Sequence, residues 1–260
     1  MRKLVLILSL LSLLPFNAIA ETAEEKGTAI AKEAERRNTG WENSKAKMVM
    51  TLISKSGDKS VRQIRVRSLE VENDGDKSLT IFDEPKDVEG TAFLSFSHAT
   101  VPDEQWLYLP ALKRVKRISS SNKSGPFMGS EFAFEDLSSF EVDKYTYKYL
   151  RDDKLGEHEV YVVESYPTYE HSGYTRLINY IDKKEYRIMK IEFYDRKNAL
   201  LKVLENTDYK KFLDQFWRAT TMTMDNVQKG KKTVLNWSDY EFKTGVDESD
   251  FSRNALKRIR

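Results

Sequence analysis

Chemistry in this chain would have to come from three scattered histidines, His98, His158 and His171, from a cluster of carboxylates, or from a glycine-punctuated loop. None of the histidines has a second ligand at metal-binding spacing or a serine or acid partner placed as in a catalytic triad, so each reads as an ordinary strand or turn residue. Glu131, Glu135 and Asp136 lie near one another and would suit an acid/base pair. Acids are so frequent here that such a cluster is expected without catalysis, as helix-terminus or solvent-facing charge. Gly125-Pro126-Phe127-Met128-Gly129 carries two glycines but neither the lysine nor the strand-to-helix context that cradles phosphate, and it reads as a mobile loop. With no cysteine, thiolate chemistry, disulfides and a lipidation site after a leader are all excluded. The reading is a protein without catalytic residues, bound metal or cofactor.

What the chain does offer is soft apolar side chains at period two. Met48, Met50 and Leu52 alternate, as do Met189, Ile191 and Phe193, then Met222 and Met224, then Leu235 and Trp237. Methionine adapts its shape, which suits either irregular core space or a surface that accepts varied apolar partners. Alternation by itself leaves both readings open, because a curled sheet fills its inner face either with its own side chains or with a ligand. Trp106 to Leu137 adds aromatic bulk: WLYLPALKRVKRI (Trp106 to Ile118) runs into SSSNKSGPFMGSEFAFEDL (Ser119 to Leu137). Lys113, Arg114, Lys116 and Arg117 place four cations in six residues, either a solvated edge strand guarded by its charges or a docking patch for an acidic partner or lipid headgroups.

The elements that must carry these residues are mostly strands. Between Glu21 and Arg37, Ala23, Gly27, Ile30, Ala31 and Ala34 recur at helical spacing, a narrow stripe suited to lying on a sheet, and Asn38-Thr39-Gly40 stops it. After Trp41 the period changes to two. Lys45 to Ser54 and Val61 to Val71 form a hairpin through Lys55-Ser56-Gly57-Asp58, and Asn73 to Asp76 makes the next turn. Short strands follow at 78–82, 91–96, 105–109, 113–118, 145–150, 159–165, 174–182, 187–194, 200–207, 217–227 and 232–240. Two segments depart from the pattern: Ser130 to Phe140, with Phe134, Leu137 and Phe140 near helical spacing, and the tail after Asp247, whose acidic turn opens a short helix through Phe251, Ala255 and Leu256.

The first twenty residues, with Arg2 and Lys3, an apolar run from Leu4 to Leu14, Pro15 and then Ala18-Ile19-Ala20, have the layout of a secretory signal peptide. Residues 1–20 are therefore expected to be removed and 21–260 to form one exported domain, since no linker, repeat or low-complexity tract divides them. The cleaved chain carries 41 basic and 41 acidic residues, a balance that gives no general attraction to nucleic acid or anionic membrane.

FDEPKDVEGTAFLSF (Phe82 to Phe96) and DEQWLYLPALKRVKRISSSNKSGPFMGSEFAFEDL (Asp103 to Leu137) resemble, in order, spacing and rare residues, the LolA-like outer membrane lipoprotein-sorting proteins, in the subfamily associated with RND/MMPL-type exporters. The resemblance implies an unclosed antiparallel β-barrel of about 11 strands wrapped over a hydrophobic cavity, with helices forming a lid. It implies a periplasmic carrier of lipoprotein acyl chains or related lipids that is not lipidated, touches membranes only transiently and serves an inner-membrane exporter. Under it, Trp106, Tyr108, Phe132, Phe134 and Leu137 join the methionine-bearing strands in lining cavity and lid, and the 113–117 cations become a docking edge. Founding carriers poise the lid with a cavity arginine whose equivalent the resemblance does not place here; Arg65 and Arg67 on the second hairpin strand are candidates, expected to face solvent. The same fold also serves periplasmic regulators that sense lipoproteins and bind an anti-sigma factor, which is the alternative role.

Overall fold

The computed structural model describes residues 21–258; the expected signal peptide lies outside them. One helix, α1 (Ala23–Arg37), opens the chain. Thr22 caps it, its Oγ1 accepting from Glu25 N while Glu25 Oε2 accepts from Thr22 N, and the stripe of Gly27, Ile30 and Ala31 is buried as its spacing predicts. Thirteen strands follow: β1 (Asn43–Ile53), β2 (Lys59–Leu69), β3 (Lys77–Glu84), β4 (Ala92–Phe96), β5 (Glu104–Leu109), β6 (Arg114–Ile118), β7 (Tyr145–Leu155), β8 (His158–Pro167), β9 (Tyr174–Asp182), β10 (Ile188–Asp195), β11 (Leu200–Phe212), β12 (Phe216–Asn226) and β13 (Lys231–Phe242). The expectation of about 11 is corrected to 13 because every period-two segment finds a ladder partner.

All thirteen belong to one antiparallel sheet in the order β6-β5-β4-β3-β2-β1-β13-β12-β11-β10-β9-β8-β7. The first and last strands pair in the middle, Met50 opposite Leu235, and the sheet ends at β6 and β7. The 119–144 connection between those two edges crosses the inner face. Its contacts show how strongly the sheet curls. The Phe134 ring packs at a tilt 5.6 Å from that of Phe93 in β4, while Asp136, two residues on, reaches Lys202 in β11 at 2.6 Å. Those strands are six ladder steps apart, about 29 Å on a flat sheet. Two residues span at most about 7 Å of chain, and strand side chains stand roughly perpendicular to the sheet and add little sideways reach, so the sheet bends around the segment.

The inner face carries the main apolar cluster, with Met48, Met50, Ile64, Phe82, Phe93, Leu107, Phe193, Leu204, Met224 and Leu235 from strands on both sides of the β1–β13 seam. At the β7 end α1 continues this layer, Ile30 and Ala31 packing with Tyr147, Val163 and Ile181. The outer face is covered only locally. There the chain's last segment lays Val246, Phe251 and Leu256 over Leu79, Ile81, Ala92, Leu94 and Trp106. The short helix expected after Asp247 is two 3-10 turns, Glu248–Asp250 and Ala255–Arg258, which bury Phe251 and Leu256. The helix expected over Ser130 to Phe140 reduces likewise to one 3-10 turn, Phe134–Leu137, because both flanks are extended and pinned to different strands.

Candidate functional site

The inner face is a groove of about 1910 Å³ lined by residues of α1, β1–β3, β11–β13 and the crossing segment. Its apolar floor includes Met48, Met50, Val66, Met222, Leu235 and Trp237. Ligand cavities for drug-sized molecules are usually about 300–1,000 Å³, so this volume suits a longer or branched apolar guest. β1, β12 and β13 supply the floor because their registers align like with like: Met48 faces Trp237, Met50 faces Leu235, and Met222 faces Leu235 from the other side.

Of the residues picked from sequence, Met48, Met50, Leu52, Ile191, Phe193, Met222, Met224, Leu235 and Trp237 belong to the inner-face cluster, together with Phe132, Phe134 and Leu137 from the crossing segment. Three do not belong there. Trp106 and Tyr108 point to the outer face and pack beneath the C-terminal segment, while Leu107 takes the inner position opposite Phe93. β5 is apolar at both parities because both of its faces are covered, so alternation could not choose between them. Met189 is turned to the outer face among Val160, Val162 and Tyr180 by a β-bulge: Ile188 and Lys190 pair with the adjacent residues Ile181 and Tyr180, leaving Met189 as the extra residue.

The glycine loop is not free. Phe127 is 1% exposed, 5.1 Å from Phe93 and 5.5 Å from Phe134 in ring contact, and the Met128 carbonyl accepts from Arg62 Nη1. α1 is the helix that lines the groove, and the loop and the turn after it form a plug of aromatic residues in one side. Its carboxylates tie it down. Asp136 Oδ2 accepts from Lys202 Nζ at 2.6 Å and Asp136 Oδ1 from Tyr174 OH at 2.7 Å; Glu131 Oε2 accepts from Asn226 Nδ2 at 2.7 Å. Glu135 accepts from Tyr169, Ser172 and Gly173, and burial, with Asp136 beside it, raises its carboxyl above the usual range. All three acids of the cluster thus act as anchors between segment and sheet. His98 is held by Asp74 at 2.8 Å, and no group of three metal-ligating side chains occurs among the described residues.

The far end of the groove is polar, a feature the sequence reading missed. Arg218 lies on the Phe216–Met222–Met224 side of β12 and stands over the rings of Trp41, Phe216 and Phe242 at 5.7–5.9 Å. Its Nη1 donates to Asn38 Oδ1 at 2.6 Å, joining β12 to the residue that closes α1. Burial lowers the pKa of its guanidinium. Across the same cavity Asp76 is pushed up to about 7 by burial and by the nearby Glu141. The parity rule, inner at 216, 222 and 224, was the available signal for Arg218. Arg65 and Arg67, the arginines considered from sequence, are on the outer face, paired with Asp83 at 2.7 Å and Asp250 at 2.9 Å.

An open antiparallel half-barrel with an apolar inner groove and one covering helix defines the LolA-like class of fold. A crystal structure of a domain assigned to the outer membrane lipoprotein-sorting proteins, from Vibrio parahaemolyticus, superposes with a TM-score of 0.89 at 58% identity, covering 90% of this chain and 100% of that one. A DUF1329 family protein from Desulfovibrio piger matches at 28% identity and TM-score 0.86, covering 90% and 99% of the two chains. A LolA superfamily protein from Nitrosomonas europaea shares the fold at 19% identity and TM-score 0.71, covering 88% and 98%. A family model carrying the description Uncharacterized protein matches residues 74–258, and no curated protein matches the sequence. This chain belongs to the LolA-like outer membrane lipoprotein-sorting protein family.

Proposed function

We propose that the protein is a periplasmic carrier that takes the acyl chains of lipoproteins or related lipids into the inner groove and passes them toward the outer membrane. The observation that carries this reading is the methionine-rich floor of the 1910 Å³ groove, apolar across β1, β12 and β13 yet only partly filled by the aromatic plug. Each methylene moved from water to such a floor contributes about 0.8 kcal/mol, so a single acyl chain binds without any polar recognition. Flexible thioethers also release what they hold more readily than a shape-matched pocket would, which a carrier requires. On this reading the exported chain works free of any lipid anchor and touches membranes only transiently. An RND-type exporter of the inner membrane is the proposed donor.

Cargo enters between the plug and the β12–β13 floor, and the bond from Arg218 to Asn38 makes α1 part of the moving cover. The direct test is to purify the protein from its native periplasm, extract it with organic solvent and identify acyl species by mass spectrometry. Uptake of an apolar fluorescent probe by the delipidated protein is measured alongside. Lipid in the extract together with probe uptake is the expected result; absence of both would remove the carrier reading.

A further inference from the structure

The sheet has two edges, and the chain treats them differently. At β7, α1 lies so close to the strand that a Cβ on Gly27 would stand 2.7 Å from Tyr149 N and 2.9 Å from the Lys148 carbonyl carbon. The helix occupies that end. β6 has no such cover. Arg114–Ile118 ladder with β5, and no other backbone hydrogen bond of these five residues forms among the described residues. One side of β6 is therefore a row of free donors and acceptors, the template on which an added strand forms.

The side chains around this edge specify what kind of strand. Lys113, Arg114, Lys116 and Arg117 are all exposed; Arg117 pairs with Glu104 at 3.2 Å, and the other three make no ion pair among the described residues. Register sets Arg114 and Lys116 opposite Leu109 and Leu107, on the inner side, and Arg117 opposite Trp106, on the outer side, so cations flank the edge above and below. On the inner side a separate cavity of about 440 Å³ opens between Leu107, Leu109, Ile118, Pro126 and Phe134, with Lys116 in its wall. Its wall is apolar on the strand side and polar at Ser121, Asn122 and Ser124, and it lies beside the free edge.

We propose that β6 is a docking edge for an extended acidic segment of a partner polypeptide. The segment adds a strand to the sheet, sets carboxylates against Arg114, Lys116 and Arg117, and lowers an apolar side chain opposite Ile118 into the 440 Å³ cavity. A second copy of this chain is a poor occupant, because identical edges would bring the same cations face to face, and like charges directly opposite destabilise a ladder. The four cations thus repel self-pairing and select an acidic strand by the same charge. A lipid surface would satisfy the cations but would use neither the free backbone groups nor the cavity. This edge is separate from the groove, so the inference stands independently of what the groove carries.

The test uses a short fluorescein-labelled peptide whose strand places glutamates opposite 114, 116 and 117, a valine opposite 115 and a leucine opposite 118, followed by anisotropy and by amide hydrogen exchange of the protein. Binding that weakens with salt, with slowed exchange at residues 114–118, is expected. The double substitution Arg114→Glu with Lys116→Glu should weaken it about tenfold or more, as loss and reversal of close charge pairs does. The same peptide with alternate backbone nitrogens methylated cannot ladder and should lose binding to the unmodified protein, a comparison that needs no variant to fold. Equal binding of the methylated peptide would overturn the proposal. So would unslowed exchange at 114–118, a self-associated dimer that protects those amides without peptide, or capture by phosphatidylglycerol vesicles in place of the peptide.

Discussion

Replacing Lys202 by methionine should be among the most destabilising single changes in the protein, although lysine on a strand ordinarily tolerates substitution. Its side chain is 4% exposed and Asp136 is 6% exposed; Nζ sits 2.6 Å from Asp136 Oδ2 and 3.0 Å from the Glu131 carbonyl oxygen, flanked by the rings of Tyr174 and Phe193 at 5.2 Å. Lys202→Met keeps the stem's packing but strands the Asp136 carboxylate in apolar surroundings, where breaking one side of a buried pair costs about 3–5 kcal/mol. Asp136→Asn strands the ammonium instead, at a similar cost. The double variant Lys202→Met with Asp136→Asn has no uncompensated charge, and with its amide oxygen accepting from Ala133 N its amide nitrogen can donate to the Tyr174 hydroxyl, so it should lose only about 1–2 kcal/mol. The expected coupling from the double-mutant cycle therefore exceeds about 3 kcal/mol. Urea unfolding followed by circular dichroism measures all four proteins. Single variants each losing under about 1 kcal/mol, or a double variant losing the sum of the two, would refute the clasp as the anchor of the plug.

Three further outcomes follow from other parts of the fold. Asp76, raised by burial to about 7 from an ordinary 3.8, stays protonated in the folded chain at pH values where the unfolded chain has already ionised. Its favourable contribution is whole below about pH 4 and is lost as pH rises to about 7, so Asp76→Asn should match the parent near pH 4 and exceed it by on the order of 2–4 kcal/mol at pH 8 in urea titrations. Gly27→Ala drives a methyl into the Lys148–Tyr149 backbone, which cannot rotate away, and should lose about 1–3 kcal/mol with faster hydrogen exchange in α1 than elsewhere. Trp106→Ala should cost about 3–5 kcal/mol yet leave apolar-probe uptake per folded molecule unchanged, since its ring lies under Phe251 and Leu256 and not in the groove; a matching fall in uptake would contradict that placement.

Segment type was legible residue by residue. The small-residue stripe of α1 and the period-two runs state local geometry, because helix and strand each expose side chains at a fixed spacing whatever surrounds them. The lack of catalytic spacing among the histidines, and the motif from Phe82 to Leu137 that marks the family, were equally open to reading. What each strand faces was legible only where one face is apolar, as in Met48-Met50-Leu52. In β5, covered on both faces, Trp106 and Leu107 look alike until the C-terminal segment is in place, and a bulge at Met189 breaks the parity that links it to Ile191.

Charges inside the groove were the least legible. Lys202 and Arg218 sit at inner parity in their strands, but a lysine or arginine is buried only when a distant acid, amide or ring meets it, and Asp136, Asn38 and Trp41 come from far along the chain. The sequence by itself determined the helix, the run of strands and the family. Only the tertiary structure decided that β1 meets β13, that the sheet curls until β4 and β11 share one crossing segment, and that β6 is left uncovered. Those outcomes depend on contacts between residues distant in the chain, and local periodicity carries no record of them.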